Sequence, residues 1–231
     1  MKIGLLACDQ IPERFLPIGG NLSDMFAALF PEAEVVTFDV YKGRFPDSTD
    51  NCDAYMCTGS KFSVYDEVDW IIDLQAFVRE LYAREKVFVG VCFGHQMLGH
   101  ALGGRVEKAP AGWCAGRYTF EVIQPKPWMT PFQQEYSLMM MCQDQIMELP
   151  PDSTVLAATA DCPVGMVQVG PRMLGLQAHP EFPVAYVKGL LEERVYRIGA
   201  EKVTMALDSL AQPLDAGIIS QWIRNFIKEK S

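Results

Sequence analysis

Val87-Phe88-Val89-Gly90-Val91-Cys92-Phe93-Gly94-His95-Gln96 is the stretch on which the reading of this chain turns. An apolar, β-branched run ends in Gly-x-Cys-x-Gly and passes straight into a helical pattern, the layout of a nucleophile elbow with sulfur in place of oxygen. At such a turn the nucleophile is held in a strained conformation and its neighbours crowd the backbone. Gly90 and Gly94 would supply the space that a Cβ otherwise fills. Cys92 would then cap a helix N-terminus, where free amides and the helix dipole favour an anionic sulfur.

Outward from this elbow the chain alternates strand and helix, the signature of a parallel sheet covered by helices on both faces. Residues 3–8, 33–40, 53–57 and 87–91 read as strands. Residues 21–30, with Asn21 or Ser23 as cap, and 69–85 read as amphipathic helices. Beyond Gly103-Gly104 the pattern turns β-rich, with strands expected at 117–123, 138–141, 154–159, 166–169 and 173–178. From Pro183 three amphipathic stretches follow, so the expectation is one α/β domain over 1–182 with a helical extension over 183–231 packed on it.

Composition narrows the function classes. The 231 residues are 49% hydrophobic and 21% charged, the balance of a soluble globular protein. Twenty Lys and Arg against twenty-nine Asp and Glu leave a net charge of −9, without the basic footprint that nucleic acid requires. Seven cysteines without dense spacing fit a reducing cytoplasm better than a secreted disulfide framework. No run reaches the ~20 apolar residues of a membrane span, and the opening apolar run is shorter than a signal peptide. No P-loop, dinucleotide fingerprint, Cys-x-x-Cys or His-Glu-x-x-His occurs, so no metal or cofactor is expected.

A thiolate nucleophile needs a proton carrier, and histidine is the usual one. The chain has three histidines. His95 and His100 lie on the helix leaving the elbow and should point away along it, whereas His179 ends an apparent strand and is followed by Pro180-Glu181. Residues i and i+2 of an extended segment face one side, so Glu181 can orient the imidazole. An oxyanion hole would come from the Phe93 amide, just after the nucleophile, and from Thr58-Gly59-Ser60, where Gly59 lets a backbone N–H approach a substrate closely. Met139-Met140-Met141 and the tryptophans at 113, 128 and 222 read as packing residues.

Together, Thr58-Gly59-Ser60, the elbow 90–96 and His179-Pro180-Glu181 resemble the class I (triad) glutamine amidotransferases in order and spacing, over residues 3–182. The tail is similar to that of stand-alone GMP-synthase-like or gamma-glutamyl-peptidase-like members. The resemblance implies a flavodoxin-like three-layer sandwich, mostly parallel, and hydrolysis of the glutamine side-chain amide through a gamma-glutamyl thioester with release of ammonia. It assigns Cys92 as nucleophile, His179 as base and acid, Glu181 as its orienter, Gly59 and Phe93 as oxyanion amides, and Gln96 as a contact to the substrate glutamine. It also implies a separate acceptor or synthetase subunit to receive the ammonia.

Two departures bear on the substrate. Many relatives carry Ser-His-x-Asp where this chain has Met141-Cys142-Gln143-Asp144, and an acidic residue where it has Cys114. These changes open a second reading, a gamma-glutamyl peptidase acting on glutathione-like conjugates, for which no ammonia acceptor is needed. A third, a redox-sensing or binding protein on the same fold, leaves His179-Pro180-Glu181 without a role.

Overall fold

The structure, a computed structural model, describes residues 1–230. Its first half is β1 (Lys2–Leu6), α1 (Leu16–Gly19), α2 (Leu22–Leu29), β2 (Glu34–Phe38), β3 (Ala54–Cys57), α3 (Asp69–Ala83), β4 (Val87–Val91) and α4 (Phe93–Ala101). The second half comprises β5 (Arg105–Lys108), β6 (Cys114–Val122), β7 (Glu135–Cys142), β8 (Asp144–Glu148), β9 (Ser153–Thr159), β10 (Cys162–Val169) and β11 (Met173–Leu176). The helices α5 (Val184–Glu193), α6 (Val195–Ile198), α7 (Ala200–Ser209) and α8 (Ala216–Lys230) close the described chain.

Nine strands form one sheet in the order β2-β1-β3-β4-β11-β10-β9-β6-β7. From β2 to β11 neighbours run parallel, and from β11 to β7 they run antiparallel. The parallel half carries the period-two alternation of a sheet buried on both faces. Ile3, Leu5, Met56, Val89 and Val91 face α2 and α8, while Leu6, Tyr55, Cys57 and Phe88 face α3 and α4. This is a flavodoxin-like α/β sandwich.

Local chemistry accounts for most boundaries. Asn21 caps α2 by accepting from the Asp24 N–H at 3.0 Å, and Asp24 returns the bond to the Asn21 N–H at 2.9 Å, a reciprocal capping box. β1 ends at Leu6, two residues before the expected limit, because the Cys8 N–H turns to the Thr58 hydroxyl at 3.0 Å. β5 and β8, paired antiparallel in a small separate sheet, are absent from the sequence reading. Arg105-Val106-Glu107-Lys108 offers only one buried apolar residue, too little for a periodicity signal.

The antiparallel wing curls. An isolated bridge joins Met139 of β7 to His179, with the His179 N–H donating to the Met139 carbonyl at 2.8 Å, so the edge strand returns to the chain leaving β11. On the other face α8 completes the core rather than trailing from it. Trp222 is fully buried, meets Tyr136 edge to face at 5.8 Å between centroids, and donates its indole N–H to the Pro131 carbonyl at 2.8 Å. No helix among the described residues is long and apolar enough to cross a membrane.

Trp222→Ala is expected to cost about 3–5 kcal/mol, the usual range for emptying a packed aromatic site. Urea denaturation checks it: the midpoint should fall with the slope unchanged.

Candidate active site

Cys92 stands between β4 and α4 with φ 53° and ψ −103°, one of three non-glycine residues with positive φ among the described residues. Its N–H is held by the Leu176 carbonyl at 2.8 Å and its own carbonyl accepts from the Gln96 N–H at 3.0 Å. The flanking glycines are steric necessities. A Cβ on Gly90 would lie 2.2 Å from the Gly94 carbonyl oxygen, and one on Gly94 would lie 2.4 Å from that of Cys57. Because α4 presses this closely on β3 and β4, the elbow can hold its strained geometry.

His179 sits just past β11, buried, and its Nδ1 is 2.7 Å from the Glu181 Oε1. Glu181 Oε2 is buried without a partner. The imidazole stacks on Phe182, with ring centroids 4.1 Å apart and planes 11° from parallel, and Phe182 in turn meets Tyr186 edge to face. Burial alone would lower the pKa of this histidine. The Glu181 carboxylate and the Cys92 sulfur, which interacts with the ring, outweigh it and raise the value to about 10.

Gly59 completes the convergence. A Cβ there would meet His179 Cε1 at 3.1 Å and Cys92 Cβ at 3.7 Å, which places the loop after β3 against both residues. That loop is tied down twice: Gly94 N–H donates to the Thr58 carbonyl at 3.2 Å, and the Ser60 hydroxyl donates to the Cys8 carbonyl at 3.0 Å. Phe93 opens α4, so its N–H precedes the helical ladder. The Gln96 side chain is buried beside Cys92, its Nε2 donating to the Asp144 carbonyl at 2.6 Å and to Gln177 Oε1 at 3.2 Å. His95 and His100 lie elsewhere. His95 is fully buried against Gly175, and that burial lowers its pKa to about 4.

Two adjoining cavities meet at Cys92. One, about 180 Å³, runs past Gln96, Met141, Cys142 and Asp144 to Lys108 and Arg197. The other, about 60 Å³, contains His179 and Gly59 and is walled by Ile11, Leu22, Phe182, Tyr186 and Leu190. Asp144, whose carboxylate accepts from Ser63 Oγ at 2.5 Å and from the Tyr65 hydroxyl at 3.2 Å, is the anion of the larger cavity. Cys114 and Cys142 are directly opposed across β6 and β7; their hydrogen bond, and then burial, raises Cys142 well above the usual thiol range, and the same bond lowers Cys114.

Phe182, Tyr186, Arg194, Lys108 and Trp113 all line the site and none was singled out for it from the sequence. Phe182, Tyr186 and Arg194 follow the four-residue spacing of one face of α5, a periodicity that reads equally well as core packing, whereas Lys108 and Trp113 come from separate segments.

Comparisons with known proteins place the chain in a family and a fold. The glutamine amidotransferase class-I family profile matches residues 22–188. Gamma-glutamyl peptidase 3 of Arabidopsis thaliana is 28% identical over 90% of this chain and 89% of its own length. The GMP synthase (glutamine-hydrolyzing) of Porphyromonas gingivalis is 26% identical over 83% of this chain but only 42% of its own length. A glutamine amidotransferase structure from Thermotoga maritima superposes with a TM-score of 0.80, covering 98% of both chains at 19% identity, a likeness of fold. The chain therefore belongs to the class-I glutamine amidotransferase family.

Proposed function

We propose that this chain hydrolyses a gamma-glutamyl amide bond, that of glutamine itself or the same bond in a gamma-glutamyl peptide, through a thioester on Cys92. The observation that carries the reading is the meeting of a positive-φ cysteine at a helix N-terminus with a buried His179–Glu181 pair 2.7 Å apart. Family membership supports the chemistry, and the relatives named as gamma-glutamyl peptidase and as glutamine-hydrolyzing synthase support the substrate class.

In this mechanism the Cys92 sulfur attacks the γ-carbonyl carbon, and the carbonyl electron pair moves onto oxygen. The backbone N–H groups of Gly59 and Phe93 receive that oxyanion. As the C–N bond breaks, the His179 imidazolium gives its proton to the departing nitrogen. Neutral His179 then takes a proton from water, whose oxygen attacks the thioester. Collapse of the second tetrahedral intermediate breaks the C–S bond and frees glutamate, with the proton retained on His179. Glu181 orients the ring throughout and stabilises its charged form. Gln96 keeps its carbonyl oxygen for substrate, since its amide nitrogen is committed to Asp144 and Gln177. Residues 1–182 supply the triad, and α5 and α6 of the tail close the outer wall. An enzyme that depends on a free thiol fits a reducing cytoplasm.

A second reading, in which the released ammonia passes to a synthetase partner, draws on the GMP synthase relative, since the match spans only 42% of that protein. Under that reading glutamine hydrolysis by the isolated chain is slow and rises when the partner docks.

A glutamine-mimicking electrophile, diazo-oxo-norleucine, should add one adduct at Cys92, read by peptide mass spectrometry; modification elsewhere, or none, counts against the assignment. Cys92→Ala and His179→Asn should each abolish turnover without loss of fold, because nucleophile and base act as a unit. Glu181→Gln should lose on the order of a hundredfold or more, yet stay above Cys92→Ala. The pH profile carries its own sign. With His179 raised to about 10, the proton needed by the leaving group persists through neutral pH and is lost as pH rises through that value. Acylation should therefore decline only near pH 10. In Glu181→Gln, burial acts without its main opponent and the alkaline limb should move to lower pH.

A further inference from the structure

Arg194, at the C-terminus of α5, is the one charged residue shared by both cavities that lacks an ion-pair partner among the described residues. Lys61 also borders both, but Asp9 neutralises it at 3.1 Å and further accepts the Lys61 N–H. No side-chain hydrogen bond or ion pair to Arg194 exists among the described residues, and the side chain is half-buried. Burial also lowers its pKa, a desolvation that Tyr186, Glu193 and Cys92 offset only in part. A cation in this condition beside a nucleophile is a receptor for an anion that arrives with the substrate.

Which part of the substrate reaches it follows from the position of the imidazole. His179 borders the smaller cavity and not the larger. The proton for the departing nitrogen comes from His179, so the leaving group occupies the smaller cavity and the gamma-glutamyl part the larger. The larger cavity has its own charges for the glutamyl ammonium and carboxylate, Asp144 on one side and Lys108 and Arg197 on the other. Arg194 is thus left over for the leaving group. Ammonia offers it no charge, whereas an amino acid or short peptide offers a carboxylate. At about 60 Å³, the smaller cavity suits a leaving group of modest size.

We infer that Arg194 is a specificity-determining residue that binds the carboxylate of a small amino-acid leaving group, so that the preferred substrates are gamma-glutamyl peptides rather than free glutamine. The inference rests on the thioester reading above and adds its substrate class.

The test compares gamma-glutamyl-glycine with gamma-glutamyl-glycinamide, which differ only in that carboxylate, on the full chain. In the wild type, kcat/KM should favour the free acid by about tenfold to a hundredfold, the range of a charge-assisted hydrogen bond, with the difference in KM. Arg194→Gln should bring the ratio close to one, and Arg194→Lys should retain part of it. A wild-type ratio near one, or equal losses on both substrates in Arg194→Gln, overturns the inference even if one variant folds poorly, because the wild-type ratio stands alone. Turnover of glutamine in preference to both dipeptides also overturns it while leaving the thioester mechanism intact. Absence of both turnover and Cys92 labelling defeats the underlying mechanism instead.

Discussion

The site depends on how closely α4 packs against β3 and β4. Cys92 can hold positive φ only because Gly94 rests against the Cys57 carbonyl and Gly90 rests against Gly94, contacts that leave no room for a Cβ. The strain at one residue is offset by the burial of two sheet faces around it, with Phe93, Met97 and Leu98 of α4 fully enclosed. The same approach aligns the loop after β3, since the Gly94 N–H is bonded to the Thr58 carbonyl. Cys92 and the loop carrying Gly59 are consequently anchored to the same packed helix.

Electrostatics complete what sterics arrange. A histidine as buried as His179 would ordinarily be driven neutral, as His95 is, with its pKa lowered to about 4. The difference between the two rings is their partners: His179 has a carboxylate at 2.7 Å and a sulfur alongside, which reverse the burial penalty. Phe182 stacks on the ring and Met139 fixes its backbone, so the imidazole is restrained from three directions. Such restraint suits proton transfer, which requires geometry before basicity.

The wing of antiparallel strands supplies one wall of the larger cavity. Its curl brings Met141 and Cys142 to that wall. Cys142 stands there with Cys114 opposed to it on the neighbouring strand, while α5 and α6 bring Arg194 and Arg197 to the rim.

From the sequence alone, the elbow and the His179–Glu181 pair could be read because both are local. Two glycines flanking a cysteine at a strand-to-helix passage, and a histidine two residues from a carboxylate across a proline, state their geometry through φ restriction and period-two alternation. The parallel half of the sheet was legible for the same reason, since each buried strand is a continuous apolar run. The wing's topology, the β5–β8 pairing and the charged cavity walls were not, because Lys108, Asp144 and the Tyr186–Arg194 face of α5 lie far apart in sequence and meet only through long-range packing. Adjacent residues determine which groups can react. How those groups are surrounded, and so which leaving group the site accepts, is set by segments that only the tertiary structure brings together.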